Sequence, residues 1–135
     1  MTRVEVGYEI PARDFRITRE TLVRYAGASG DFNVIHWNER IAHQVGLPDV
    51  IAHGMLTMGM AIQVVTDWCE DLSALVDYGC RFTRPVVVPD DGVGARLHVS
   101  GTVTAVEDNI ATVSLKAMCA DVSVLGKAIA RVRVG

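Results

Sequence analysis

The stretch that most constrains the fold of this chain is an apolar run, GMLTMGMAIQVVTDWCE, which extends from Gly54 to about Glu70. It is long enough for a helix and apolar on most faces of one, which indicates burial on nearly all sides. Gly54 and Gly59 each lower helix propensity by about 1 kcal/mol relative to alanine, so their presence suggests close approach by backbone or ligand. We therefore predict a central helix on which the other elements pack.

Strands are predicted both before and after this helix along the chain. A short strand is expected from Val4 to Ile10, and a final strand from Val122 to about Val134. Strands joined by short turns, such as Glu107-Asp108-Asn109, form antiparallel meanders, and with one buried helix they predict an α+β domain. Between the helix and the final strand, three runs alternate apolar with polar residues as half-buried strands do, and their apolar members are Val76, Tyr78, Cys80 and Phe82; Leu97, Val99, Val103 and Ala105; and Val113, Leu115, Ala117 and Cys119.

Two shorter helices are predicted upstream of the central helix. Thr18 is a suitable N-cap for the first, which Gly27 and Gly30 weaken at its far end. Asn38 is a suitable N-cap for the second. The Gly-Asp-Phe-Asn sequence between them is typical of a turn, so His36 is expected just outside a helix start.

Length and charge narrow the class of protein. The 135 residues fit a single domain spanning 1–135, and 50% of them are hydrophobic while only 6% are aromatic, so the core must be mainly aliphatic. The net charge of -3, with acids and bases scattered, offers no concentrated basic field for nucleic acid. No apolar stretch reaches the roughly 18 to 20 residues of a membrane span, and no apolar signal region opens the sequence. A cytoplasmic protein without nucleic-acid or membrane partners is expected.

Cysteine and histidine spacing gives little support for a metal. The cysteines are few, odd in number and without a CxxC pair, so buried thiols are expected. The histidines show neither HxxxH nor HExxH spacing, and no metal or cofactor is expected. Two of them are expected at the surface, His43 and His98. The cysteines are Cys69, Cys80 and Cys119, and the remaining histidines are His36 and His53.

The densest polar cluster in a predicted turn runs from Ser29 to His36. Asp31 and His36 stand five residues apart, near enough across a turn to address one small molecule or water between them. Taken alone, the same residues also fit a turn in which Asp31 and Asn33 bond the backbone and His36 fills a pre-cap position. Downstream, Ala52-His53-Gly54 opens the central helix, whose first N–H groups favour developing negative charge. An acid/base pair with such a site is what enolate chemistry requires.

This region resembles a known signature. The sequence YAGASGDFNVIH, followed by Ala42, is similar to the hydratase 2 motif of the MaoC-like, or (R)-specific enoyl-thioester hydratase, family. The similarity continues through IAHGMLTMGM and is compatible with the strand order expected over nearly the whole chain. Among subgroups, the motif looks most like the B-type subunit of (3R)-hydroxyacyl-carrier-protein dehydratases. The family usually has proline where this chain has Val34, which should loosen the turn slightly without removing a reacting group.

The resemblance implies a fold, a reaction and partners. The fold would be a hot-dog, in which an antiparallel sheet wraps a long central helix and an overhang from about Thr18 to His53 carries the site. The reaction would be reversible hydration and dehydration of trans-2-enoyl and (R)-3-hydroxyacyl thioesters of coenzyme A or an acyl carrier protein. The chain would pair as a homodimer, or as a heterodimer with a related hot-dog subunit.

The expected roles divide between catalysis and support. Asp31 and His36 would hold the reacting water, and the Gly54 N–H would donate a hydrogen bond to the thioester oxygen as that oxygen becomes negative. Asn33 would orient the water or the carboxylate, while Ser29 would bond the turn backbone because no GxSxG context surrounds it. Two residues beside the helix start are candidates for substrate contact, His53 and Met55, although packing would explain either of them.

Other interpretations stay open on sequence grounds. A non-catalytic hot-dog subunit is one, and the presence of both Asp31 and His36 speaks against it. A hot-dog thioesterase is another, but its carboxylate normally lies on or near the central helix, where this chain has no acid between Gly54 and Val65. Two sets of side chains fit either ligand contact or ordinary packing and solvation, namely Met55, Met58 and Met60 for an acyl tunnel and Lys127, Arg131 and Arg133 for a phosphate.

Overall fold

The structure is a computed structural model that describes residues 4–135. Its helices are α1, Arg19–Ser29; α2, Glu39–Gln44; and α3, Gly54–Cys69, with 3-10 turns at Val34–His36 and Leu72–Ala74. Its strands are β1, Glu9–Ile17; β2, Leu75–Phe82; β3, Ala95–Glu107; β4, Ile110–Cys119; β5, Val122–Ser123; and β6, Leu125–Arg133.

The strands form one antiparallel sheet in the order β1-β3-β4-β6-β2, with the short β5 paired to β4. Asp108 and Asn109 both adopt positive φ, 51° and 63°, between β3 and β4. Two left-handed residues match the right-handed twist of the flanking strands, so this tight hairpin confirms the turn predicted at Glu107-Asp108-Asn109.

Helix α3 packs on one face of this sheet, where the core lies. The alternating apolar residues of β3 and β4 point into it, and Leu97, Val99 and Val113 are fully buried. From α3 the buried side chains Val64 and Val65 meet them. The sheet wrapped around one long helix confirms the α+β hot-dog architecture expected from the sequence.

One expectation for α3 is wrong. The prediction was burial on nearly all sides, but Met55 is 60% exposed and Gly59 and Asp67 are also exposed. The sheet covers only one side of the helix, so the opposite side is open in the single chain. Close approach occurs at Gly54, where an added Cβ would lie 3.2 Å from the Phe82 ring, whereas a Cβ on Gly59 would meet nothing within 4 Å.

The first and last strands depart from their expected bounds. The strand predicted from Val4 to Ile10 is wrong, because β1 begins only at Glu9 after a turn in which Gly7 takes φ 92°. Polar residues such as Arg13 hide the alternation of β1 in the sequence. The single strand expected from Val122 is divided at Val124 into β5 and β6.

The segment between β1 and α3 is tied together by capping and by one arginine. Thr18 caps α1 through a capping box with Thr21, and Asn38 caps α2, as predicted. The Arg19 guanidinium donates hydrogen bonds to Glu39 (2.9 Å) and Asp49 (2.8 Å) and to the Val88 carbonyl. These bonds fasten the overhang to the loop that precedes β3.

The histidines expected at the surface lie there, whereas the cysteines match the expectation only in part. Cys69 is buried, but Cys80 and Cys119 are only half-buried, so the expectation of buried thiols holds for one of the three. His43 and His98 are exposed, and so are Lys127, Arg131 and Arg133 on β6. Among residues 4–135, no helix combines the length and the apolar character that crossing a membrane would require.

Candidate active site

The turn after α1 is built from three successive side-chain bonds to the backbone. Ser29 Oγ accepts from the Asp31 N–H (3.1 Å), Asp31 Oδ1 from the Asn33 N–H (3.1 Å), and Asn33 Oδ1 from the Ile35 N–H (3.3 Å). The role expected of Ser29, bonding the turn backbone, is therefore the contact observed. Asn33 holds the Asp31 carboxylate through its backbone N–H, while its own side chain caps the following 3-10 turn.

This turn forms with valine at position 34. Val34 is the first residue of the 3-10 turn, and its carbonyl accepts from the N–H groups of Trp37 and Asn38. The first position of a helical turn is where proline also fits, because its N–H needs no partner there. The turn that carries Asp31 and His36 therefore does not require the family's proline.

His36 ends that 3-10 turn and is fixed in one tautomer. Its side chain is buried, and Nδ1 lies 2.7 Å from the Ile51 carbonyl oxygen. A carbonyl oxygen only accepts, so Nδ1 carries a proton, and in the neutral ring Nε2 presents a lone pair. His36 is thus oriented as a proton acceptor at Nε2.

His53, the residue before α3, packs directly against His36. It is 1% exposed, its ring stacks on the His36 ring at 3.8 Å between centroids, and Tyr25 meets it edge-on at 4.7 Å. His53 Nε2 lies 3.1 Å from the Asp31 backbone oxygen. Burial lowers the pKa of His53 below its usual value of 6.5, which favours the neutral ring.

The three ionisable groups converge. A carboxylate oxygen of Asp31 and one ring nitrogen each of His36 and His53 all lie within 4.8 Å of one another. This spacing lets one water bridge Asp31 and His36 by two ordinary hydrogen bonds. It suits a metal ion less well, because lone pairs lie in the ring planes and the two rings are only 23° from parallel, so both cannot point at one ion.

A cavity of about 320 Å³ opens beside this cluster. His36 and Gly54 line it together with Thr57, Phe82 and Arg84, and the rest of the wall is largely apolar. Gly54 begins α3, so its N–H lacks an intrahelical acceptor, and no other partner for it occurs among residues 4–135. A carbonyl oxygen bound here would have a free backbone donor and an imidazole within one cavity.

The structure separates the predicted site residues into three groups. His36 lies within 4.8 Å of Asp31 and shares the cavity wall with Gly54, whereas Asp31 is exposed and is not part of that wall. Met55 lies apart from these residues, because it points to the open side of α3 and is not part of the cavity wall, so the structure gives no support for a substrate contact there. His53 lies behind His36 rather than in the wall.

Sequence reasoning missed the part of the cavity that comes from the end of β2. Phe82 was expected only as a strand residue, and Arg84, just beyond it, was not singled out. The sequence carried one indirect sign, the glycine at position 54, which leaves room for the Phe82 ring. Only the fold shows which ring fills that space.

An antiparallel sheet around one helix, with Asp31 and His36 close together in the overhang, defines a hot-dog domain. A family model described as "MaoC like domain" matches residues 4–119. The chain therefore belongs to the MaoC-like domain family, which confirms the resemblance seen in its motif.

Individual relatives agree with this placement. The chain is 40% identical over 79 residues to 3-hydroxyacyl-thioester dehydratase X of Mycobacterium tuberculosis, a match that covers 58% of this chain and 27% of that protein. A solved MaoC-like dehydratase superposes with a TM-score of 0.94 and 38% identity over 98% of this chain and 41% of the other. The chain thus spans less than half the length of either relative.

A third structure shares the fold at lower identity. One chain of the ChsH1-ChsH2 complex from Mycobacterium tuberculosis superposes with a TM-score of 0.82 and 24% identity, over 98% of this chain and 99% of that one. At this identity the likeness concerns the fold alone.

Proposed function

We propose that this chain is a hydro-lyase that reversibly adds water to trans-2-enoyl thioesters, giving (R)-3-hydroxyacyl thioesters in fatty-acid or related acyl metabolism. The observation that carries the proposal is the meeting of Asp31 and His36 within water-bridging distance, next to the unpaired N–H of Gly54. The dehydratase names of the two relatives support it.

The chemistry follows from the groups and their protonation. A water held by the Asp31 carboxylate and His36 Nε2 adds its oxygen to C3 of the enoyl group as it loses a proton, and a proton reaches C2 on the same face. The pair accepts the proton that the water loses and delivers one proton to C2, so that both groups return to their starting protonation, and such assistance contributes about 10²–10⁴-fold in rate. In the reverse direction the same pair removes the C2 proton and protonates the departing hydroxyl.

The thioester oxygen becomes negative while C2 is an enolate carbon. The Gly54 N–H at the start of α3 is the donor we assign to that oxygen, and one such donor is worth about 10²–10³-fold. The N-terminal end of α3 adds a favourable field for negative charge. Asn33 supports the pair by holding the Asp31 carboxylate, and Ser29 supports it by holding the Asp31 backbone.

Partners are part of the proposal. The substrate is carried by coenzyme A or an acyl carrier protein, and the chain, one MaoC-like hot-dog domain over 1–135, pairs with itself or with a related hot-dog subunit. The named complex among the structures of this fold supports pairing of two related chains. The open side of α3 and the unpaired edge of β2 are surfaces that such a partner would cover. The cytoplasmic location remains a prediction.

The two alternatives, a non-catalytic subunit and a thioesterase, fit the arrangement of side chains less well. A non-catalytic subunit has no need of an oriented His36 beside Asp31. A thioesterase would need an acid near the start of α3, and the first acid on this helix is Asp67, which is exposed near its far end.

The proposal is tested by mixing the purified chain alone with short and medium trans-2-enoyl-CoA. Loss of the conjugated thioester absorbance is expected, without release of free thiol. Activity that appears only when a related subunit is added would establish the heterodimer. Thiol release in place of hydration would establish the thioesterase and contradict the proposal.

A further inference from the structure

We propose that His53 is a positioning residue that stays neutral, ties the Asp31 turn to the start of α3, and holds the ring of His36 in place. This inference rests on the proposed function, because it concerns the geometry of the same site. His53 does not line the cavity, so it is not assigned a contact with substrate.

The hydrogen bond of His53 joins the two halves of the site. Its Nε2–H donates to the backbone oxygen of Asp31, 3.1 Å away and 22 residues earlier in the chain. The backbone of His53 leads directly into Gly54, whose N–H is the proposed donor to the thioester oxygen. This one bond therefore sets the distance between Asp31, which takes part in proton transfer, and the Gly54 N–H, which donates to the thioester oxygen.

The ring stack completes the orientation of His36. The bond from His36 Nδ1 to the Ile51 carbonyl fixes one point of that ring but allows it to tilt about the bond. The His53 ring, 3.8 Å away and nearly parallel, blocks this tilt on one face. Tyr25 of α1 contacts His53 edge-on at 4.7 Å, so the stacked rings also pack against α1.

Neutrality follows from the surroundings of the second nitrogen. Because Nε2 carries the proton, Nδ1 presents a lone pair, and this atom is buried without a hydrogen-bond partner among residues 4–135. The titratable groups that face the ring are Tyr25, Asp31 and His36. A second proton would bury a charge and an unpaired N–H and would place the charge against His36, and these costs outweigh the attraction of Asp31, so the pKa of His53 is lowered.

The kinetic test compares two replacements of His53 with a control. His53→Gln keeps an N–H that can reach the Asp31 oxygen, whereas His53→Leu keeps volume without a donor. We expect His53→Leu to lose about 10²-fold in kcat with little change in KM, as expected for misplaced reacting groups. His53→Gln should recover at least a tenth of the wild-type kcat. His43→Leu, on the exposed side of α2, should match wild type.

Each kinetic outcome has a meaning once thermal melts show that the variants fold. Wild-type kcat in His53→Leu would overturn the inference, and so would equal loss in His53→Gln and His53→Leu. A change in KM alone would point to substrate contact and would also overturn it.

A second measurement does not depend on activity. In ¹⁵N-histidine NMR of the full chain, with resonances assigned from His→Gln variants, His53 should be protonated at Nε2 and mostly neutral at pH 6.5, where an ordinary histidine is half charged. A charged ring, or a proton on Nδ1, would overturn the inference. An inactive wild type in which His53 shows the expected tautomer would refute the proposed function alone, so the two failures are distinguishable.

Discussion

The Asp31 carboxylate takes part both in the turn and in the cluster with the two histidines. Oδ1 accepts the Asn33 N–H and so belongs to the turn, while the carboxylate still reaches within 4.8 Å of the histidine rings. From the sequence, turn bonding and acid/base chemistry are competing explanations for Asp31. The structure shows that they are compatible, because a carboxylate has enough lone pairs for both.

Gly54 can be tested against a glycine on the same helix. In Gly54→Ala the new Cβ would lie 3.2 Å from the Phe82 ring, so the ring must shift within the cavity. We expect turnover to fall on the order of tenfold, since a 1 Å misplacement can cost about 10²-fold. The measurement is hydration rate together with the melting temperature.

The matched control is Gly59→Ala. A Cβ at this position meets nothing within 4 Å, and alanine is the better helix former by about 1 kcal/mol. It should therefore raise the stability of the single chain, and turnover per assembled site should stay unchanged because Gly59 is not part of the cavity wall. Equal activity in both alanine variants would contradict the role assigned to the space at Gly54.

Helix α1 shows which elements short-range rules can predict. The cap at Thr18 depends on neighbours within a few residues and was predicted. Gly30 was expected only to weaken the helix, and it ends the helix in the left-handed conformation, with φ 77°. The bounds of β1 were not predicted, because that strand is defined by pairing with β3, far away in sequence. The open side of α3 was also missed, since apolar composition does not say whether the covering surface comes from the same chain.

The cap of α1 is predicted to contribute measurably to stability. Thr18 accepts from the Thr21 N–H, and its own N–H donates to the Thr21 hydroxyl. Thr18→Ala should lower the free energy of unfolding in urea by about 1 kcal/mol. As a control, Arg24→Ala removes only an exposed pair with Glu20 and should cost at most about 0.5 kcal/mol. If Thr18→Ala lost no more free energy of unfolding than Arg24→Ala, the contribution assigned to the cap would be contradicted.

At the scale of the whole molecule, the site is assembled from three distant segments. The turn after α1 supplies Asp31 and His36, the start of α3 supplies His53 and Gly54, and the end of β2 supplies Phe82. The first two could be found in the sequence because each is a short contiguous motif. The third could not, because its place depends on how β2 lies along the edge of the sheet.

Burial of His53 makes the stability of the molecule depend on pH. Its pKa in the folded state lies below the usual value of 6.5, so between these two values the unfolded chain binds more protons than the folded one. The contribution of neutral His53 to the free energy of unfolding is then fully present above about pH 6.5 and is lost as the pH decreases through that window. Urea unfolding at pH 7.5 and pH 5.5 should show this loss, and His53→Gln should reduce it. An unchanged pH dependence in the variant would assign the effect to other groups.

The most direct test of the central claim is the hydration rate of Asp31→Asn and His36→Gln on trans-2-enoyl-CoA, in the assembly in which the wild type is active. Both substitutions keep size and remove proton transfer, and His43→Gln serves as the control. Each site variant should lose about 10²–10⁴-fold in kcat while its melting temperature stays close to that of the wild type. Full activity in both variants would contradict the assignment of Asp31 and His36 as the acid/base pair.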